Sequence, residues 1–284
     1  MRPSARLFLS LLLPLAPLAA QEKFTLRYAF EPGQVTWTRR TVERTPASDP
    51  SIKLAFSIWN ECKVVDVRDG IASIDCRCAR VTIKIAAVSD ELDYDSDAGV
   101  ALPPDGWPRT LAELVGKTAK LRVDTTGKVL ERTLPDGFEK RLEQGAPPNV
   151  SLHPEFVVLP TNPVAIGETW KGEISMPMRS KANSMVNVSN KLTGVRENIA
   201  TIEQSLVSAA PNENTGSRKR EVVTGGGTTR IGLCNLVPVE GAIDIAQAGD
   251  RLTTLLHLTT KQVPPPKQAV EAPEKEEPKK RDGK

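Results

Sequence analysis

Aromatic residues are scarce in this 284-residue chain, at 4%, and its two histidines are His153 and His257. With so few imidazoles and no His-Glu-x-x-His, the ligand cluster of a zinc hydrolase is missing. Gly-x-Ser-x-Gly and Walker-type loops are also absent, which removes the commonest nucleophile and phosphate signatures. Beyond residue 20, no apolar run reaches the roughly 18 residues of a membrane-spanning helix. An excess of one charge is lacking too. With residues 1–20 and 264–284 set aside, the remaining 243 hold 30 basic and 30 acidic side chains. A neutral body lacks the electrostatic footprint usual for nucleic-acid or anionic-membrane binding.

What is present begins with an export signal. Arg2 and Arg6 precede the apolar run Leu7 to Leu18, and Ala19-Ala20 lead into polar Gln21-Glu22-Lys23. This three-part pattern predicts cleavage after Ala20 and a soluble mature protein, periplasmic or extracellular. The run is short, and Pro14 and Pro17 break it. Cys62, Cys76, Cys78 and Cys234 would then meet an oxidising compartment. Asp69-Gly70 is a hairpin signal, and folding the flanking strands around it sets Cys62 opposite Cys76. A bridge from Cys76 or Cys78 to Cys234, or buried thiols, are the alternatives. Cys76-Arg77-Cys78 lacks the two-residue spacing of a redox or zinc motif.

Strand patterns dominate the rest. Ile52, Leu54, Phe56 and Ile58 alternate with Lys53, Ala55, Ser57 and Trp59, the period-two signature of a strand with one buried face. After the turn, Ala72, Ile74, Cys76 and Cys78 share one parity, whereas Val81, Ile83 and Ile85 take the other. One extra residue near Ala79-Arg80, a β-bulge, reconciles them. Ala119, Leu121 and Val123 form a further strand that turns at Thr126-Gly127 into Val129 to Thr133. Two short helices are expected, one from the capping-box spacing Thr110 to Glu113 before Gly116, the other from Asp136 to Glu143.

The halves echo each other. Gly33-Gln-Val-Thr-Trp37 matches Gly167-Glu-Thr-Trp170, Val67 to Ile74 matches Val195 to Ile202, and Asp124 to Leu130 matches Ala246 to Leu252. Residues 21–145 and 146–263 therefore form two β-meander repeats, the second entered through a Pro-rich connection. The expected fold is mostly β, an antiparallel half-barrel or two-sheet architecture with two or so short helices. The Pro-, Glu- and Lys-rich residues 264–284 form a disordered spacer or tether.

Chemistry-bearing candidates are few. Asp93-Tyr-Asp95-Ser-Asp97 resembles the start of a calcium loop, but Ala98 stands where Gly is needed and Pro104 where a bidentate Glu belongs. A solvated acidic loop is the plainer reading. Gly225-Gly-Gly227 has no Lys-Ser/Thr ending and suggests a flexible loop before a strand. Trp37 and Trp170, matched in the repeat, are core anchors or the lining of an apolar ligand groove.

Leu26-Arg-Tyr-Ala-Phe30-Glu-Pro-Gly33, Leu92 to Ser96, Leu114 to Val129 and Pro163 to Trp170 together resemble an uncharacterised family of exported bacterial β-rich proteins. Its pattern is similar to the half-barrel periplasmic carriers of the LolA and LppX type. That resemblance implies a concave apolar face that binds lipid or acyl chains. The two-unit repeat and the missing lipid anchor depart from those carriers. The expected function is a non-enzymatic exported protein that needs no cofactor and binds a hydrophobic small molecule, a lipid or another envelope protein. A protein-interaction module using sheet edges is the alternative, and a hydrolase built on Asp93, Asp95 or Glu155 a distant third.

Overall fold

The computed structural model describes residues 21–87, 91–103, 105–135, 138, 156–177, 183–208, 222–233, 238–248 and 253–265. The signal segment, most of the connection, the expected second helix apart from Phe138, Cys234 and nearly all of the tail lie outside them.

The first half supplies β1 (Lys23–Phe24), β2 (Val35–Pro46), β3 (Lys53–Arg68), β4 (Ile71–Ala86), β5 (Glu91–Asp95), β6 (Thr118–Asp124) and β7 (Val129–Thr133). From the second half come β8 (Val164–Ala165), β9 (Thr169–Pro177), β10 (Asn183–Arg196), β11 (Ile199–Ser208), β12 (Val222–Gly232), β13 (Glu240–Ala248) and β14 (Thr253–Gln262). One antiparallel sheet of 12 strands runs β7-β6-β4-β3-β2-β14-β13-β12-β11-β10-β9, with β5 also on β4. The sheet is open, not a closed barrel. β14 joins the halves by pairing with β2, Leu258 lying opposite Val42.

Alternation sets the two faces. The ladder steps from Trp59↔Arg80 to Asn60↔Cys78, so Ala79 is the extra residue that carries Cys76, Cys78, Val81 and Ile83 all to the buried side. The hairpin turns match as well. Asp69 and Gly70 both have positive φ, and so do Glu197 and Asn198, 128 residues on. Each hairpin then skips one residue on its first strand, Val65 and Thr193, at the same offset. Gly33 N donates to Val64 O and Gly167 N donates to Leu192 O, a third equivalent contact. The last echo does not correspond: Asp124 to Leu130 spans the β6–β7 turn, whose topological counterpart is the β12–β13 connection, not the one after β13.

Two apolar clusters share the buried face. One joins Val64, Ile74, Leu121 and Val123 of the first half to Leu192, Ile202 and Ile231 of the second. The other joins Phe56, Ile58, Val81 and Ile83 to Val188, Leu206, Ile245 and Leu258. Between them runs a buried polar belt of Thr38, Arg40, Asn60, Asn190, Gln204 and Thr229. Its second half is self-satisfied, because Thr229 Oγ1 donates to Gln204 Oε1 and Gln204 Nε2 donates to Asn190 Oδ1.

Residues 23–30 and 156–165 clasp the first cluster. Tyr28 N donates to Thr125 O and Leu159 N to Thr126 O, both at the β6–β7 turn. Trp170 Nε1 donates to Val158 O at 2.7 Å, and β1 pairs with β8. One pair of segments thus ties both edges of the open sheet together at this end. The clasp is anchored by Tyr28, 1% exposed, whose hydroxyl donates to Val157 O and accepts from Val157 N. Burial pushes its phenol well above the ordinary tyrosine range.

A short helix, α1 (Trp107–Ala112), covers part of the second cluster with Leu111 and Ala112. It starts before the predicted capping box: Gly106 is the N-cap, Pro108 sits in the first turn, and Thr110 Oγ1 donates back to Gly106 O. Gly225 to Gly227 are not a loop but lie inside β12, opposite Ile245, Asp244 and Ile243. There a Cβ on Gly227 would collide with the backbone oxygen of Ala242.

Candidate ligand site

Trp37 and Trp170 do not meet. Trp37 follows Gly33 by four residues and Trp170 follows Gly167 by three, so their parities are opposite. Trp170 pairs with buried Asn190 and turns inward against the clasped cluster. Trp37 pairs with Glu61 and turns outward, since Thr38, Arg40 and Val42 hold the inner positions of β2. A slip of one residue is enough to flip a strand side chain to the other face.

The acidic string turns its carboxylates to cations of the protein itself. Arg80 donates Nε to Asp95 Oδ1 at 3.0 Å and a terminal nitrogen to Oδ2 at 2.5 Å, and reaches Asp97 at 3.4 Å. Asp93 pairs with Lys84 in the open. Among the described residues no three metal-type ligands cluster. The bond from Arg80 holds the Asp95 carboxyl below the usual carboxylate range against the opposing effect of burial, and Arg80 is raised in turn.

A folded-state pKa below the unfolded one adds stability that is complete above about pH 4 and disappears as pH falls through the folded value. Asp95→Asn is therefore expected to lower stability at neutral pH and to flatten the acid limb of a denaturation curve. Urea midpoints measured across pH check this, and an acid limb identical to wild type contradicts it. The same bond keeps Asp95 ionised, which removes it as a general acid. Glu155 lies outside the described residues.

Cys62 and Cys76 lie directly opposite in the β3–β4 ladder, with Cα atoms 4.1 Å apart, and their sulfurs are joined. Cys78, two residues on, is a buried free thiol, pushed by that burial up to about 12. Such a thiol is a poor nucleophile at neutral pH. His257 meets Asp244 at 2.6 Å on an exposed part of the outer face.

Among the described residues the geometry also offers a cleft. Between α1 and the chain that follows β7 lies a space of about 380 Å³ lined by Leu102, Thr110, Glu113, Leu114, Lys117, Pro135 and Phe138. Leu114 and Phe138 form its buried wall, 2% and 4% exposed, and belong to the second apolar cluster. Val100, Leu102 and Val115 remain exposed around this end. The sequence signal was the apolar run Val100-Ala-Leu102-Pro103 in a loop, where a solvated connection would carry polar residues. Thr110, Glu113 and Lys117 line the space on its other side, so that it joins an apolar wall to a polar rim of similar extent.

No family model matches the chain, and no curated protein matches it by sequence. Among solved structures the chain is similar to lipovitellin, in a structure titled for its lipid-protein interactions, over 83% of this chain and 25% of that one. The identity is 9% and the TM-score 0.49. The chain spans a quarter of that protein's length, and a likeness this distant places no ligand here.

Proposed function

We propose that the protein is a non-enzymatic binder of an apolar, lipid-like ligand, working outside the cytoplasm, with the ligand's apolar part in the cleft beside α1. The observation that carries this reading is the cleft itself: an apolar wall continuous with the core, a polar rim, and a volume within the roughly 300–1,000 Å³ range of ligand sites. Supporting it are the export-signal pattern of residues 1–20 and the resemblance of the sequence to half-barrel carriers of the LolA and LppX type.

Trp107 begins the helix whose Thr110 lines the cleft. A brominated fatty acid is therefore expected to quench its fluorescence on binding. Leu102 is 49% exposed, so Leu102→Asp should leave the fold intact. A charge set against the apolar wall is expected to weaken binding at least about tenfold. Quenching that is absent, or unchanged in the variant, rejects the cleft. Native mass spectrometry of protein purified without detergent then identifies what the cleft carries.

β7 and β9 each pair on one side only among the described residues. This is the observation that favours the second reading, strand addition by a partner protein at a sheet edge.

A further inference from the structure

The outward turn of Trp37 leaves an aromatic side chain on a face that the cleft does not use. Along β2 the outward positions are Val35, Trp37 and Arg39, and across from them on β3 stand Lys63, Glu61 and Trp59. On the other flank Lys261 of β14 pairs with Arg39. Val35 is 46% exposed, and so is 54% of Val65, the bulged residue two beyond Lys63. Trp37 is half-buried, and its indole N–H donates to no described residue. Three apolar side chains thus share a patch that extends over roughly 13 Å of strand.

The patch is also locally cationic. Glu61 is neutralised by Arg77 at 2.8 Å. Arg39, Lys63 and Lys261 are exposed and make no ion pair among the described residues. Asp75, opposite Lys63 in the ladder, forms no ion pair with it and has Lys120 opposite on its other side. Neutrality of the whole body rules out a long-range field, but a contact shorter than the Debye length of about 8 Å responds to the local charges.

We infer that this outer face docks on an anionic lipid surface, with Val35, Trp37 and Val65 entering the headgroup layer and Arg39, Lys63 and Lys261 meeting lipid phosphates. Tryptophan favours the boundary between headgroups and acyl chains because its ring is apolar and its N–H finds a polar partner there. Cations close to an anionic leaflet add attraction that salt screens. A single-stranded polyanion is a poorer fit. It needs open aromatic faces for base stacking, and Arg39 and Arg80 already lie over the Trp59 ring at 5.8 and 4.8 Å. Exposed valines would add nothing to a polyanion's binding.

The test is sedimentation of the full mature chain with vesicles of phosphatidylcholine alone and of phosphatidylcholine with phosphatidylglycerol. Binding is expected with the anionic vesicles, weakening as salt is added. Arg39→Glu with Lys63→Glu should lower it at least about tenfold. Lys261→Glu, on a different strand, gives a milder loss and stands in if the double variant fails to fold. Equal binding to neutral vesicles, no binding to either kind, or charge-reversed variants that bind like wild type would overturn the inference. Leu102→Asp should keep vesicle binding, so failure of the docking face and failure of the cleft are told apart.

Discussion

Replacing both Cys62 and Cys76 by alanine is expected to lower unfolding free energy by about 3 kcal/mol, the loop-closure contribution of a bridge across about 15 residues. The two halves sharpen this expectation. Counting 128 residues on from the cysteines, as from Asp69 to Glu197, gives Asn190 and Gln204, which face each other in the β10–β11 ladder. One half holds this register position with a covalent link, the other with a hydrogen-bonded amide pair. The two are not interchangeable. Gln204 also accepts from Thr229 at 2.7 Å, and the β6 residue in the place of Thr229 is Leu121. An Asn-Gln pair at 62 and 76 would therefore lack its third partner, and is expected to recover little of the lost stability. Asn190→Cys with Gln204→Cys, in contrast, should oxidise spontaneously, because those positions share the register of the native bridge. Guanidinium midpoints with and without reductant, and thiol counts for the second variant, check both statements. An unchanged midpoint for the alanine variant would show that the bridge contributes nothing to stability.

Gly127→Ala is expected to cost a similar amount, about 3 kcal/mol, from two causes that act at one atom. At φ +83 the backbone occupies the left-handed region that a Cβ disfavours. That Cβ would also overlap the Tyr28 ring and come within 2.8 Å of Val157 O. Both neighbours belong to the clasp, so the damage should be local to the end that it closes. Trimming Tyr28 to leucine in the same chain removes the ring clash but not the backbone strain or the Val157 contact. The double variant should consequently lose less than the sum of the two single changes. Strict additivity in thermal unfolding would mean that Gly127 and the clasp are not in contact.

Several features of the fold were legible because they are properties of neighbouring residues. The switch from Cys76 and Cys78 to Val81 and Ile83 required one extra residue, and the ladder places it at Ala79. Asp69-Gly70 marked a two-residue turn, and Glu197-Asn198 repeats it although it lacks glycine, since asparagine tolerates positive φ. Other features misled. The spacing Thr110 to Glu113 suited a capping box, but Pro108 and Gly106 start the helix earlier. Three consecutive glycines suggested a loop; β12 uses Gly225 and Gly227 where the backbone of β13 comes too close for a side chain, and a Cβ on Gly226 would meet Gln204 O of β11 at 3.0 Å. The acidic string looked like a cation site because its neutralising partner, Arg80, lies 15 residues before Asp95 and meets it only across the β4–β5 ladder.

The candidate ligand site was hardly legible. Leu102, Leu114 and Phe138 come from three separate segments, and the one local signal, the apolar run around Leu102, does not say what the residue packs against. Trp37 and Trp170 drew attention as a matched pair, but their different distances from Gly33 and Gly167 already held the answer that the fold made visible: one faces in and the other out.

Residue order by itself determined the β class, the strand alternation, the Ala79 bulge and the 128-residue correspondence of the hairpins, because period two and turn chemistry act over a few residues. Tertiary structure decided that both halves share one open sheet, that two distant segments clasp its edges, and that a cleft forms beside α1. It also decided that a body whose charges balance over residues 21–263 presents, around Trp37, three exposed cations with no ion pair among the described residues. The shared sheet and the clasp depend on pairings between residues more than a hundred positions apart, and the cleft and the cationic patch on contacts between separate segments. Closing such loops is an energetic choice of the whole chain, and no local pattern encodes it.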